Sequence, residues 1–373
     1  MSQVCSLEGL QSLNFENRII QGNNHDVLRE LQSELRSKVK CIYIDPPYNN
    51  GESYAHYEDN HEHSVWEEDI QKTLSLLKPL LREDGSIWIS IDDGNVHHMR
   101  VIADRVFERK NYVTTIVWQH RTTRENRKLF SNNHEYILVY CINEKKFIKG
   151  SNRANPTQDM IDRYKSYDDD PRGPWQSVSA NVQAGHAVAS QFYSITSPSG
   201  KVHVPPKGRC WIYNETRMLE EIKKNNIWFG KTGSGVPRVK KFLDLESFKT
   251  SHETIWSADE CGTNKSAKKH ILKLFPNSDV FDTPKPEELI YKIFKIATNE
   301  NDLILDCYLG SGTSVAVAHK MKRSYVGIEI GDHISELVVS RLNRVIDNKD
   351  PDGITSLVQW NGGGKFRYKK IDF

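Results

Sequence analysis

Residues 41–44, Cys-Ile-Tyr-Ile, are an unbroken apolar run of β-branched and aromatic side chains, and Pro46 and Pro47 stop it almost at once. The run predicts a fully buried strand, and because proline cannot donate to a sheet ladder the strand has to end at Asp45. An acid, a rigid turn and an aromatic ring are thereby delivered at the carboxyl end of a strand, where open α/β sheets take their ligands. Asp45 and the carbonyl of Pro46 can both accept hydrogen bonds from an amino group, and Tyr48 offers a π-face to a flat ring. An amino nitrogen held by two acceptors is drawn from planar towards tetrahedral, which frees its lone pair for attack. Asp45-Pro46-Pro47-Tyr48 also suits an ordinary proline turn closed by Asn and Gly, so the remainder of the chain has to decide between the two.

Residues 18–31 predict a short strand, a Gly-Asn turn and a helix with Asp26 in its first turn, where negative charge is favoured. A polar stretch follows Gly51 and reads as a mobile loop as far as His63. Trp66, Ile70, Leu74, Leu77 and Leu81 recur at helical spacing, Glu83-Asp84-Gly85 ends that helix, and Ser86–Ile91 is a strand. A helix over 95–109 and strands over 112–118 and 135–142 complete one half of a doubly wound sheet. Between those strands Arg121, Arg124, Arg127 and Lys128 stand against Glu125 alone, which fits either a solvated face or phosphate contacts.

The alternation is lost from about 145 to 280. Within that stretch, residues 227–242 mix aromatics and glycines with Lys231, Arg238, Lys240 and Lys241, a composition that serves base stacking with phosphate neutralisation or a plain glycine-rich hairpin. The sheet resumes with a helix over 289–297, preceded by Thr283-Pro-Lys285-Pro286, and a strand over 303–306. A turn containing Gly310 and Gly312, a helix over 315–322 and a strand over 324–330 come next. Residues 361–370 read as a flexible basic tail.

Strand, glycine turn, helix and strand ending in an acid is how a βαβ unit receives an adenosine-containing cofactor. Gly310 and Gly312 admit close approach, Asp306 can meet a cationic amino group, and Glu329, 19 residues beyond Gly310, can hold both ribose hydroxyls. A dinucleotide cofactor wants a third small residue where Val315 stands, and its pyrophosphate gains nothing from Asp306. S-adenosylmethionine satisfies both points.

Lys and Arg total 51 against 49 for Asp and Glu, so any surface attracting nucleic acid has to be local. The six cysteines form no C-x-x-C pair and predict buried, reduced thiols, and no apolar run reaches membrane-spanning length. A cytoplasmic protein without membrane association is the expectation. His61-Glu62-His63 lacks the i, i+4 spacing of a helical zinc site, so no metal is expected.

Taken together, the two motifs resemble the β-group adenine-specific DNA methyltransferases, whose catalytic tetrad precedes the cofactor motif. Asn132–Tyr140, Val236–Lys240 and Gly262–Ser266 are similar to the modification subunits of type III restriction systems. The resemblance implies an α/β, Rossmann-like, doubly wound sheet with an inserted target-recognition region. It divides the chain into a catalytic half (17–144), the recognition region (145–280), a cofactor half (281–345) and a carboxyl-terminal tail (346–373). It implies methyl transfer from S-adenosylmethionine to the 6-amino nitrogen of adenine in double-stranded DNA by base flipping, with Asp45, Pro46, Pro47 and Tyr48 catalytic. Asp306, Tyr308, Gly310, Ser311, Gly312, Thr313, Glu329, Lys285 and Pro286 are implied as the cofactor site, and a homodimer and a restriction-endonuclease subunit as partners. Tyr308 stands where the family commonly has Phe, and Asn23 where it has Asp. Attack at cytosine carbon needs a thiolate, usually after proline, and no Pro-Cys occurs. Cytosine-N4 methylation and a DNA-binding subunit without catalysis are the rival readings.

Overall fold

The computed structural model describes residues 15–51, 62–125, 129–276 and 283–371. They fall into two units, one running to Asn152 and resuming at Glu253, the other Arg153–His252. The expected mobile loop after Gly51 lies largely outside the described residues.

The first unit is built on strands β1 (Arg18–Gln21), β2 (Val39–Ile44), β3 (Leu81–Ile91), β4 (Tyr112–Trp118), β5 (Glu135–Cys141), β6 (Ile255–Trp256), β7 (Leu303–Asp306), β8 (Ser324–Glu329) and β9 (Arg367–Lys370). They make one sheet in the order β6-β4-β5-β3-β2-β7-β8-β1-β9. Pairing is parallel throughout except that β5 runs against both β3 and β4. The predicted α/β, doubly wound class is what the strand order describes. Strand β2 leads to β3 on one side, and its other neighbour, β7, leads to β8 in the opposite direction. That reversal is a topological switch point, and both strands end there in an acid.

Strand β2 shows why the sheet is covered on both faces. Cys41 and Tyr43 enter one core with Trp88, Leu289 and Phe294, while Ile42 and Ile44 enter the other with Leu28, Leu74 and Ile89. Period-two alternation across an apolar run such as 41–44 requires two apolar layers. Helices α1 (Asn24–Leu35), α2 (His63–Leu77) and α3 (Val96–Phe107) supply one layer through stripes such as Trp66, Ile70, Leu74 and Leu77. Helix α4 (Asn264–Leu274) packs through Ala267, Ile271 and Leu274, and α5 (Glu287–Ala297), α6 (Thr313–Lys320) and α7 (Val339–Ile346) belong to the same unit. Cys41, Cys141, Cys210, Cys261 and Cys307 are free and buried.

Three expectations are corrected. The α2 helix ends in a short 3-10 turn at Pro79, and β3 begins at Leu81 instead of Ser86. Its pairing jumps from Val39–Leu81 to Cys41–Ser86, an irregularity that Gly85 permits, since a Cβ there would stand 2.9 Å from the Val39 carbonyl oxygen. The recognition region was expected to reach residue 280, yet residues from Glu253 belong to the sheet unit, anchored by β6 and the buried Trp256. The tail is not free either. Strand β9 extends the sheet beside β1, and Tyr368 donates its hydroxyl to Gln21 Oε1 at 2.5 Å.

The second unit is an antiparallel assembly. Trp175–Ser179, Arg238–Phe242 and Ile227–Trp228 form three strands, with smaller pairs at Asn181–Gln183 with Arg209–Trp211 and at Ile195–Thr196 with Val202–His203. Ala180, Ile195, Trp211, Met218, Ile227 and Phe229 are its core. Residues 227–242 are thus a hairpin, and Gly235 lets its strands close up, because a Cβ there would lie 2.7 Å from the Phe229 carbonyl oxygen.

Candidate active site

Asp45 leaves β2 directly into the Pro46-Pro47 turn. Trp66 Nε1 donates to the Pro47 carbonyl at 2.8 Å and Asn95 Nδ2 to the Tyr48 carbonyl at 2.6 Å, so helices α2 and α3 fix the turn from outside. Both Asp45 oxygens are engaged. Tyr48 donates its hydroxyl to Oδ1 at 2.8 Å, and Lys285 Nζ lies 2.7 Å from Oδ2. Glu135, the first residue of β5, completes the group. Its Oε2 is 3.2 Å from the Tyr48 hydroxyl and 3.5 Å from Lys285 Nζ, and its Oε1 accepts from Asn264 Nδ2 at 3.3 Å. Burial raises the Asp45 pKa, Lys285 opposes that rise and Glu135 adds to it. Burial would lower the Lys285 pKa, but Asp45 and Glu135 outweigh it and the ammonium is favoured.

At the end of β7 the Asp306 carboxylate accepts from Ser314 Oγ at 2.5 Å and from the Tyr308 amide at 3.0 Å. It makes no ion pair among the described residues. Burial pushes its pKa up to about 7 despite those two donors. A carboxyl so placed fits an arriving ammonium. Glu329 Oε2 accepts from the Gly310 amide at 2.7 Å and Oε1 from the amides of Ile330 and Gly331, each at 3.0 Å. A carboxylate has further lone-pair sites, so hydroxyls can still be received. Gly312 sits at φ +75° under Val338, whose Cγ1 would be 2.9 Å from an added Cβ. Both acids, the proline turn and the glycine loop line one cavity of about 770 Å³, within the range of small-molecule sites.

Residues 39–340 match the DNA methylase family model. The chain belongs to that family. It is 32% identical over 336 residues to the StyLTI Mod subunit, a type III restriction-modification enzyme of Salmonella typhimurium, an alignment covering 82% of this chain and 50% of the relative. It is 28% identical to the probable HindVI Mod subunit of Haemophilus influenzae (95% and 54% covered) and 27% identical to the type II methyltransferase M.KpnI of Klebsiella pneumoniae (100% and 94%). The chain spans about half the length of the Mod subunits it matches.

Of the residues expected from sequence, Asp45, Pro46, Pro47, Tyr48, Lys285, Asp306, Tyr308, Gly310, Ser311, Thr313 and Glu329 all line the cavity, whereas Pro286, which caps α5, and Gly312, packed under Val338, do not. Tyr308 turns its hydroxyl to Thr73 Oγ1, 3.1 Å away. Lys285, expected at the cofactor, directs its ammonium to Asp45. Arg121 lines the cavity and Arg124 is exposed, while Arg127 and Lys128 lie outside the described residues. In the second unit Lys231, Arg238 and Lys241 are exposed, and Arg238 Nη2 donates to the Ser177 carbonyl at 3.0 Å. Lys240 is a correction: it is buried, its ammonium 2.5 Å from the exposed Asp168 and 2.9 Å from the buried Asp170, so it is committed to two acids and closed to phosphate.

Glu135 and Asn264 were not picked out from sequence. The available signal was an acid heading an otherwise apolar strand, Glu135 before Tyr-Ile-Leu-Val-Tyr. Where no metal was expected, His63, Glu67 and His98 on α2 and α3 bring ligand-type atoms within 4.8 Å of one another, as do His270, Glu287 and Asp350. In each group a histidine nitrogen lies within hydrogen-bond distance of a carboxylate, His98 Nδ1 3.0 Å from Glu67 Oε1 and His270 Nε2 2.7 Å from Asp350 Oδ1. No helix among the described residues is long and apolar enough to cross a membrane.

Proposed function

We propose that the chain transfers the methyl group of S-adenosylmethionine to the 6-amino nitrogen of adenine in double-stranded DNA. One observation carries the reading: the Asp45 acceptor turn and the Asp306–Glu329 cofactor cradle face one cavity at the switch between β2 and β7. Asp306 would hold the cofactor's amino group and Glu329 its ribose, with the backbone of Gly310 and Ser311 alongside. Bound there, the cofactor supplies an electrophilic methyl group. The target nitrogen lies inside a duplex, so the base has to be flipped into the cavity. Asp45 and the Pro46 carbonyl then orient the amino lone pair, and alignment rather than strong basicity supplies most of the acceleration. The relatives named as type III Mod subunits support DNA as substrate and a nuclease subunit as partner, and a second copy of this chain is the partner the family resemblance implies.

The test is transfer of labelled methyl to unmethylated bacterial DNA, with nucleoside analysis of the product. Methyladenine is expected from the wild type. Methylcytosine would move the target to the cytosine 4-amino group, and cofactor binding without transfer to any DNA would favour a binding subunit.

Cofactor binding also carries a proton signature. Asp306, raised to about 7 in the cofactor-free fold, is largely protonated at pH 6 and ionises when an ammonium arrives. Calorimetry in buffers of different ionisation heat should show proton release of up to one per site at pH 6, fading above pH 7. Asp306→Asn should abolish the release, and an unchanged release in that variant would remove Asp306 from the ammonium site.

A further inference from the structure

We infer that Lys285 and Asp45 act as one donor–acceptor pair that reads the edge of the target base, a specificity role deepening the methylase reading on which it rests. The pair is preformed. Lys285 Nζ and Asp45 Oδ2 lie 2.7 Å apart side by side on the cavity wall, and the Lys285 side chain is only 7% exposed. Pro284 and Pro286 flank Lys285 and restrict its backbone, and Pro286 leads straight into α5. Glu135 Oε2, 3.5 Å from Nζ, sets a second carboxylate beside the ammonium, and Asn264 Nδ2 donates to Glu135 Oε1 at 3.3 Å.

An ammonium has three donors. Asp45 takes one, and the 3.5 Å approach of Glu135 is at the limit of a hydrogen bond, so donor capacity remains for a ligand. The ring edge of adenine presents an amino donor beside an unprotonated ring-nitrogen acceptor. An acceptor from Asp45 and a donor from Lys285, side by side, are its complement. Guanine and thymine present the reverse, a keto acceptor beside an N–H donor, and would set like against like. Cytosine shares the adenine pattern, so the pair selects amino bases and the cavity has to select ring size. A second polar group marks the same wall as built for a ligand: Asn264 Oδ1 is buried without a partner among the described residues.

The contact orients rather than accelerates. A cation at the ring nitrogen draws the amino lone pair into the ring, so its benefit falls on binding, and its loss belongs in KM more than in kcat.

The experiment pairs a residue change with an atom change. The modified site is first mapped in DNA from cells expressing the protein. Duplexes are then made with adenine or 1-deazaadenine, which lacks the ring acceptor, at the target position. Affinity in the presence of S-adenosylhomocysteine and steady-state kinetics are measured for wild type, Lys285→Met and Lys285→Gln. For the wild type, 1-deazaadenine should weaken binding and raise KM about tenfold or more, as loss of a charge-assisted hydrogen bond does. For Lys285→Met the deaza penalty should shrink to less than about twofold, with Lys285→Gln intermediate. A full penalty retained in Lys285→Met, or none in the wild type, overturns the inference while leaving the methylase reading standing. No methylation of adenine by the wild type overturns both. Cofactor affinity, measured in parallel, reports folding, and the affinity comparison holds even if Lys285→Met does not turn over.

Discussion

Replacing Asp45 with asparagine is expected to slow methyl transfer by about 10²- to 10⁴-fold, with cofactor affinity within roughly threefold of the wild type. The side chain keeps its size, so the loss is chemical. Asp45 is an acceptor at both oxygens, taking the Tyr48 hydroxyl at one and the Lys285 ammonium at the other. An asparagine presents an NH₂ group at one of those positions, where it either faces the ammonium donor to donor or forces the Tyr48 hydroxyl to turn and accept. The charged acceptor that orients the amino lone pair is lost as well. Single-turnover transfer with a saturating cofactor isolates this step. A variant that keeps more than a tenth of the wild-type rate would show that the Pro46 carbonyl suffices alone. An equal loss of cofactor affinity would mean that the substitution disturbs the cavity as a whole.

What could be read in advance followed from locality. The β2 strand and its proline turn, and the β7, glycine loop, α6 and β8 unit, are each contained in a few tens of residues, and their side-chain periods and breakers announce them. The partners of Asp45 and Tyr48 are a different matter. Lys285 reaches Asp45 across 240 positions and Glu135 reaches Tyr48 across 87, and only the tertiary fold around the mixed sheet brings them together. Lys240 shows the same limit from the other side. In the sequence it belongs to a basic cluster, but Asp168 and Asp170, some seventy residues earlier, claim it for the interior. Strand β9 was hidden because Arg-Tyr-Lys-Lys has little apolar content. As an edge strand it needs none, since its ladder to β1 supplies the order, and charge on an edge discourages further pairing.

Lys320→Met should destabilise the protein by about 3–5 kcal/mol, the cost of breaking a buried ion cluster from one side. Lys320 is wholly buried on α6, with Nζ 2.8 Å from Glu287 Oε2 and 2.7 Å from Asp350 Oδ2. Methionine fills the space but leaves Asp350 to His270, 2.7 Å away, and Glu287 to Arg341, 3.0 Å away. The consequence reaches the glycine loop proposed to receive the cofactor. Arg341 also donates to Thr313 Oγ1 at 2.8 Å and to the Ser311 carbonyl at 3.2 Å, so Glu287 anchors the residue that anchors the loop. Cofactor affinity should therefore fall along with stability. Burial alone would raise the Asp350 pKa, but the hydrogen bond from His270 and the charge of Lys320 hold it below the usual carboxylate range. A depressed carboxyl stabilises the fold above its unfolded pKa near 4 and loses that contribution as pH falls, so the wild-type advantage over Lys320→Met should be full at pH 7 and shrink below pH 4. Urea unfolding at pH 7 and in acid measures both terms. A loss below about 1 kcal/mol at pH 7 would mean that His270 and Arg341 neutralise the two acids unaided. The cluster would then serve to place the loop, not to hold the fold together.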